Sequence, residues 1–398
     1  MTTLKLTIDE LCNLSINFKR ETKKGLTKKD ATIKCLPSFI PPPQQINNGQ
    51  VYVIELGGSN LRAALLSIKN GKASFLDGPT EIVMPWERNR SFPKEQFLKM
   101  QADALASLKS GNEEFIGYCF SFPTEPLPNQ DARLINWTKG LVVPDMIGHE
   151  VGKSLLSYIT SHYNMHFKRI CVVNDAIATL FSGLNNNRRD GLIGLILGTG
   201  NNMATFLDIK NIPKIRNVPY YSEKIPVNLE SGNFNIPYLS KWDEVVDNKS
   251  ENRGLHLFEK AVSGMYLGRI FKAIFPDSSF DPETGAKGLV DMLNNPENIK
   301  EEYISTARHI YERSSSLIAA SLAGIISLLI DHHYLDEIYI IGEGRLFWSK
   351  VDGMVSYSTL VQKTLTTLIY ELGLPRIDIV FPEIKNPTLI GTAIATLS

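Results

Sequence analysis

The chain has 398 residues, 43% of them hydrophobic and 21% charged, with 42 lysines and arginines against 42 aspartates and glutamates. That length predicts two to three domains with more than one core, which leaves room for a cleft. The balanced charge offers no basic surplus to a nucleic acid or an anionic membrane, so both partner classes are set aside.

The N-terminal stretch MTTLKLTIDELCNLSINFKRETKKGL mixes acids and bases and has no apolar core followed by a small-residue cleavage site. It does not read as a signal peptide, and a cytoplasmic location is expected. Residues 7 to 30 show helical spacing of apolar positions, and Leu36 to Pro43 (LPSFIPPP) reads as a proline-stiffened connection. Tyr52 to Glu55, Arg62 to Ile68 and Ala73 to Leu76 are short, rich in β-forming residues and separated by glycine or asparagine turns, which predicts a meander of hairpins. Ser91 to Ser110 is expected to be helical, Phe115 to Phe120 a strand, Val151 to Tyr163 a helix and Arg169 to Val173 a strand. The uncharged, largely apolar run Ser314 to Ile330 has 17 residues including five serines and a glycine. It falls short of the ~20 apolar residues of a membrane span and reads as a buried helix. Cys12, Cys35, Cys119 and Cys171 form no CxxC pair, so they indicate neither a zinc site nor a disulfide framework.

Part of the pattern recurs. Setting ELGGSNLRAALL (Glu55 to Leu66) against ILGTGNNMATFL (Ile196 to Leu207) matches Leu56 with Leu197, Gly57 with Gly198, Asn60 with Asn201, Ala63 with Ala204 and Leu66 with Leu207. Both segments read as strand, tight turn, strand. A repeat of this kind points to a duplicated domain with a ligand cleft between the halves, although two glycine-rich hairpins can also match by chance.

The turns Leu56-Gly57-Gly58-Ser59 and Gly198-Thr199-Gly200-Asn201-Asn202 present backbone amides with no Cβ in the way, which suits close approach by phosphate oxygens. Either turn alone is more often a plain hairpin; as a related pair they favour a phosphate clamp. Neither is a Walker loop, and the dinucleotide fingerprint G-x-G-x-x-G is missing after the strands. Cys171 to Asp175 is an apolar strand that delivers Asn174 and Asp175 at its carboxyl end, where α/β sheets place ligands, but an aspartate there can equally cap the helix that follows. Ser121-Phe122-Pro123-Thr124 and Asn136-Trp137-Thr138-Lys139-Gly140 put hydroxyls, an amide and an ammonium on loops after a strand. Glu230 and Glu259 singly read as solvated charges. With Asn174, Asp175, Asn202, Thr138 and Lys139 they form the polar set that a polyhydroxylated ligand needs, because each hydroxyl both donates and accepts. Glu337 to Ile341 runs into Gly342-Glu343-Gly344-Arg345, a turn that holds a nucleotide or merely reverses the chain.

These segments occur in the order and spacing of the eukaryotic-type hexokinases, glucokinase included, within the actin-like sugar kinase superfamily, and the chain resembles that family over most of its length. The entry segment is Lys23-Lys24-Gly25-Leu26 with Leu36-Pro37-Ser38-Phe39, and Glu55 to Arg62 resembles the first phosphate motif. Phe120 to Pro123 with Asn136 to Gly140 is similar to the sugar signature, Val173-Asn174-Asp175 to the base motif, Leu197 to Asn202 to the second phosphate loop, and Phe258 to Leu267 to the sugar-contacting helix.

The resemblance implies an α/β, two-lobed actin-like ATPase (RNase H-like) fold with duplicated mixed-sheet domains and a cleft between them. Residues 50–173 plus 383–398 would form the smaller lobe and 1–49 plus 174–382 the larger. It implies that Mg-ATP phosphorylates a hexose, glucose foremost, at the 6-hydroxyl, with Asp175 as base and Lys139 offsetting charge. Ser121, Thr138, Lys139, Asn174, Asp175, Asn202, Glu230 and Glu259 would line the hexose site. Glu55, Gly57, Gly58, Ser59, Asn60, Arg62, Thr199 and Gly200 would face the phosphates, and Gly342, Glu343 and Gly344 the nucleotide's adenosine side. ATP and Mg²⁺ are the implied cofactors; the metal is carried by the nucleotide, with Glu55 reaching it through water and no direct protein ligand. The partners are a hexose and a nucleotide, and the chain acts as a monomer or homodimer.

The sequence departs from the family pattern at several places. Glu55 and Glu343 stand where aspartate is usual, Ser59 where the hairpin has threonine, Ser231 where a tryptophan follows the sugar glutamate, and Asn386-Pro387-Thr388 where a glycine-rich loop precedes the last helix. Because these changes touch the phosphate side, a sugar-binding sensor without catalysis is the alternative. An actin-like assembly or chaperone ATPase has no need of Trp137 to Gly140 or of Glu259 and ranks last.

Overall fold

The computed structural model describes residues 4–58, 60–84, 91–109, 111, 114–184, 189–216 and 222–398. Helix α1 (Ile8–Thr27) starts on a capping box in which Thr7 Oγ1 accepts the Glu10 N–H and the Glu10 carboxylate accepts the Thr7 N–H, an arrangement worth about 1 kcal/mol. It buries Leu11, Leu14, Phe18 and Leu26, as the helical spacing of residues 7 to 30 predicts. The proline-stiffened connection opens as a two-residue strand, β1 (Leu36–Pro37).

The predicted meander follows as β2 (Gly49–Leu56), β3 (Asn60–Lys69) and β4 (Lys72–Val83), each longer than its apolar stretch suggests. Next come α2 (Lys94–Ala106), β5 (Phe115–Phe120), the small ribbon β6 (Thr124–Pro126) and β7 (Ala132–Leu134), then α3 (Val151–His162), β8 (Arg169–Val173) and α4 (Asp175–Ser182). A second run holds β9 (Leu192–Leu197), β10 (Asn201–Asp208), β11 (Lys224–Asn228), α5 (Lys241–Asn248), α6 (Leu257–Val262), α7 (Gly264–Ile274) and α8 (Gly285–Asn294). It closes with α9 (Glu301–Ile330), β12 (Glu337–Glu343), α10 (Tyr357–Glu371), β13 (Asp378–Val380) and α11 (Pro387–Thr396).

Two sheets carry the fold, one in the order β4-β3-β2-β5-β8 and the other β1-β11-β10-β9-β12-β13. In each, three antiparallel strands are extended by two parallel ones, so β2 to β4 with β5 and β8 repeat as β9 to β11 with β12 and β13. The repeat in sequence is thus a repeat in topology. Its register differs by one residue. Leu56 pairs with Leu61 across Gly57 to Asn60, whereas Leu197 pairs with Asn201 across Gly198 to Gly200. The second turn is one residue shorter, and by ladder position the counterpart of Asn202 is Arg62, not the Leu61 of the ungapped match.

Between the sheets lie α4 and α11, whose Ile177, Leu180, Leu389 and Ile394 share one core with Val51 and Val53 of β2 and with Phe206 and Ile341 of the other sheet. The two helices cross so closely that a Cβ on Gly391 would fall 1.6 Å from the Ala178 carbonyl oxygen. The run Ser314 to Ile330 is the latter part of α9, which begins earlier, at Glu301. This helix is long and apolar enough to cross a membrane, yet 83% of its apolar window is buried in the protein, so it is a core helix here. Its buried serines bond to nearby oxygens, as in Ser314 Oγ to the Val262 carbonyl at 2.7 Å, which removes the cost of placing hydroxyls in a core.

Candidate active site

Strand β8 ends at Val173 and α4 begins at Asp175, so the two polar residues at the strand's end have separate roles. Asn174 is the helix cap: its Oδ1 accepts the Ala176 N–H at 2.9 Å. Asp175 accepts the same N–H through Oδ1 at 2.8 Å, and its Oδ2 has no hydrogen-bond partner among the described residues. Capping therefore falls to Asn174, and Asp175 holds a free carboxylate oxygen on the first turn of a helix, where negative charge is favoured.

The loop from Asn136 to Gly140 is anchored by Trp137, which donates Nε1–H to the Val143 carbonyl at 2.7 Å and packs edge-on against Phe97, Phe120 and Phe122. Beyond it Lys139 takes a left-handed backbone conformation with φ of 59°, and its Nζ donates to the Ser121 carbonyl at 2.7 Å. Its stem lies across the first glycine turn, where a Cβ on Gly58 would come within 2.8 Å of Lys139 Cδ. Gly58 is thus a gap that lets the lysine reach Ser121. Thr138 is half-buried beside it.

On the facing sheet, Asn202 Nδ2 donates to Asn228 Oδ1 at 2.9 Å, and Asn228 Nδ2 donates to Glu230 Oε1 at 2.7 Å. Burial pushes the Glu230 carboxyl up, helped by the nearby Asp175 and Glu259 carboxylates and opposed by the Asn228 hydrogen bond and by Lys139. Asp175, Glu259 and Lys139 are thus near enough for their charges to be felt at Glu230. A cavity beside Glu230 is lined by Leu36, Phe39, Phe122, Asp131, Asn174 and Glu230; Asp175, Glu259 and Lys139 do not line it. Glu259 Oε2 accepts the Asn201 N–H at 3.0 Å, directly after the second glycine turn, and a Cβ on Gly200 would lie 2.6 Å from that oxygen. Ser231, where the family has tryptophan, is fully buried and hydrogen-bonded to Asn201. Asn228, absent from the sequence reading, orients Glu230 from two residues upstream; its signal is the spacing Asn228-Leu229-Glu230 at the end of β11.

The second turn is held by α7, whose Gly264 N–H donates to the Gly198 carbonyl at 2.7 Å and Met265 N–H to the Thr199 carbonyl at 3.3 Å. Thr199 is exposed. In the first turn the Gly57 N–H closes on the Asn60 carbonyl at 3.0 Å, while the Asn60 side chain turns to Glu81 on β4. Ser59 lies outside the described residues.

Glu55 sits in a network of its own. Its carboxylate accepts from Arg62 and, at 3.0 Å, from Thr388 Oγ1, and Arg62 also donates to Thr388 at 3.0 Å and to Asn386 Oδ1 at 3.2 Å. Burial raises the Glu55 carboxyl, with Arg62 and Thr388 opposing and Asp175 adding. Glu343, at the end of β12, is pushed up to about 7 by burial, with Arg62 opposing and Glu55 and Asp175 adding. Gly342 backs onto Phe347, where a Cβ would come within 2.2 Å of the ring. Glu55, Glu343 and Asp175 lie within one another's fields and form a hard-oxygen set whose negative charge a Mg²⁺ ion would relieve, and the two glycine turns leave room for phosphate oxygens.

Two family models described as hexokinase match the chain, one over residues 1–184 and the other over residues 192–309. Human Hexokinase-3 is 30% identical over 282 residues, covering 68% of this chain and 30% of that protein. Hexokinase-1 of Saccharomyces cerevisiae is 28% identical over 305 residues, covering 72% of this chain and 61% of the yeast protein. The match thus spans less than a third of the human relative's length and under two thirds of the yeast one's. Among solved structures, a hexokinase from Schistosoma mansoni complexed with glucose matches with a TM-score of 0.78 at 21% identity, over 99% of this chain and 96% of that one. At that identity the match establishes the fold, two α/β lobes of the actin-like kinase type.

Proposed function

The chain belongs to the hexokinase family, and on that premise we propose that it transfers the terminal phosphoryl group of Mg-ATP to the 6-hydroxyl of a hexose, glucose foremost, with Asp175 as general base. The observation that supports this reading is the Asp175 Oδ2 left without a hydrogen-bond partner among the described residues, on a carboxylate whose charge is felt at Glu230 together with those of Glu259 and Lys139. A sugar hydroxyl is a poor nucleophile because its proton is held far above neutral pH. As its oxygen forms the new bond to the γ-phosphorus and the bond to the β–γ bridging oxygen breaks, the proton passes to Asp175 Oδ2 and ADP departs. Base assistance of this kind is worth ~10²- to 10⁴-fold.

Glu230, Glu259, Asn202 and Asn174 would hold the sugar's other hydroxyls, and the Asn228 bond keeps Glu230 from turning away. Lys139, tied to the Ser121 carbonyl, places positive charge between the first turn and the sugar loop. Mg²⁺ carried by the nucleotide would neutralise the β- and γ-phosphate oxygens, with Glu55 reaching it through water. The reading takes residues 50–173 plus 383–398 and residues 1–49 plus 174–382 as the lobes that close to exclude water, and a cytoplasmic monomer or homodimer as the working form.

The test is a coupled ADP-release assay with Mg-ATP and glucose, mannose, fructose, glucosamine and N-acetylglucosamine, run beside Asp175→Ala. Sugar-dependent release is expected from the native protein and a loss of at least ~10²-fold in kcat from the variant. Near-normal kcat in Asp175→Ala removes the base assignment. Thermal stabilisation by glucose without ADP release from the native protein replaces the kinase with the sensor.

A further inference from the structure

Glu259 stands on α6, a helix of six residues that starts from a left-handed His256, φ 53°, with no side-chain cap. So short a helix does not hold itself, and the direction of the Glu259 carboxylate is set by what grips α6 from outside. On the apolar side Phe258 packs against Phe18 and Phe234. The chain leading into the helix gives little support of that kind, since Glu251, Arg253, Gly254 and Leu255 are exposed.

The grip there is polar. Lys260, the residue after Glu259, is only 2% exposed, and its Nζ donates to Asp247 Oδ1 at 2.6 Å, to Ser250 Oγ at 2.8 Å and to the Asn252 carbonyl at 2.8 Å. Three donors meet three acceptors, which offsets the cost of taking the charge out of water. The acceptors are themselves fixed. Asp247, in the last turn of α5, accepts the Gly254 N–H on both carboxylate oxygens at 3.0 Å, and Ser250 Oγ donates to the Asp247 carbonyl at 2.7 Å. Helix α5 is in turn bound to the core helix α9 by the buried pair Arg313–Asp243, whose two bonds are 3.0 and 2.7 Å. Successive helical residues point about 100° apart, so a Lys260 pinned to α5 turns Glu259 toward the second glycine turn. There its Oε2 takes the Asn201 N–H, and a Cβ on Gly232 would come within 3.1 Å of Glu259 Cβ.

We propose that Lys260 is a positioning residue for the hexose: by anchoring α6 to α5 through Asp247, Ser250 and Asn252 it aims the Glu259 carboxylate at the sugar. The inference rests on the kinase reading, in which Glu259 holds a sugar hydroxyl, and it deepens that reading by naming what directs that carboxylate.

Calorimetric titration of the full chain tests it, using whichever sugar of the ADP-release panel the native protein binds most tightly, with Lys260→Met, Asp247→Asn, Glu259→Gln and the doubles of the first two with the third. Lys260→Met keeps the stem and removes the charge, and a sugar Kd about tenfold or more weaker is expected. Asp247→Asn keeps the shape of the pair, so it gives a smaller loss in the same direction and carries the test if Lys260→Met does not fold. Because both act through Glu259, neither should add to the loss in Glu259→Gln, a non-additivity that a merely structural lysine does not produce. In turnover the single variants should raise the sugar KM with kcat nearly unchanged. Lower stability in urea with an unchanged sugar Kd overturns the proposal, as do losses that multiply in the doubles or a native protein that binds none of the sugars. Weaker sugar binding in the variants of a protein that releases no ADP leaves the proposal standing and removes the kinase reading; unchanged binding beside sugar-dependent ADP release does the reverse.

Discussion

Replacing Glu343 by glutamine should change how the protein's stability depends on pH. In the folded chain burial lifts the Glu343 carboxyl from 4.5 to about 7, with Glu55 and Asp175 adding to the effect against Arg62. A folded value above the unfolded one means that the native state holds the proton more tightly. The stabilising contribution is therefore fully present below about 4.5 and is lost as pH rises through about 7. At about 1.36 kcal/mol per pH unit the gap corresponds to a ceiling of ~3 kcal/mol. Glutamine is a neutral near-isostere and loses nothing over that range. Glu230 and Asp131 are also raised by burial, but they remain in both proteins and cancel in the difference; Glu55 is coupled to Glu343, so its release from that charge in the variant acts in the same direction, favouring Glu343→Gln at high pH. Urea unfolding from pH 5 to pH 8.5 is the assay. The two proteins should be close in stability at pH 5, with Glu343→Gln the more stable at pH 8.5 by up to ~3 kcal/mol. Curves that stay parallel across the range would refute the reasoning.

Two further outcomes follow from the geometry around the turns. Gly58→Ala puts a Cβ 2.8 Å from Lys139 Cδ and 2.9 Å from its Cβ, so the lysine must leave the Ser121 carbonyl; a cost of about 1–3 kcal/mol is expected, read as lower kcat/KM with glucose affinity reduced in titrations. Glu55→Asp shortens the carboxylate by one methylene and withdraws it from Arg62 and Thr388, so stability should fall by about 1 kcal/mol in urea unfolding while Arg62 is freed for the nucleotide.

The parts of the site that could be read in the sequence are those whose partners lie close along the chain. Strand, turn and strand are local patterns, so both hairpins and the strand ending in Asn174 and Asp175 were visible. The assignment of capping to Asn174 was not, because either residue could accept the Ala176 N–H and only the backbone shows that Asp175 is already inside the helix. Trp137 sits within the sugar signature, yet its place is against Phe97, Phe120 and Phe122, and nothing local distinguishes an anchor from a ligand contact. The one-residue slip between the two hairpins was hidden for a similar reason: an ungapped match cannot register a shorter turn.

The departures from the family pattern were each visible and each read separately, since Glu55 and Thr388 are 333 positions apart. In the fold they are mostly one unit. Asn386 adopts a left-handed conformation, φ 52° and ψ 52°, at the start of α11 and turns its amide toward Arg62, a bond that a glycine in that place could not make. Thr388 supplies the hydroxyl between Arg62 and Glu55. A glutamate at position 55 reaches that pair, and an aspartate would stop one methylene short of it. Glu343 shares the same field through Arg62 and Glu55. The altered residues therefore explain one another, because each of them helps commit Arg62 to holding α11 against β2 and β3.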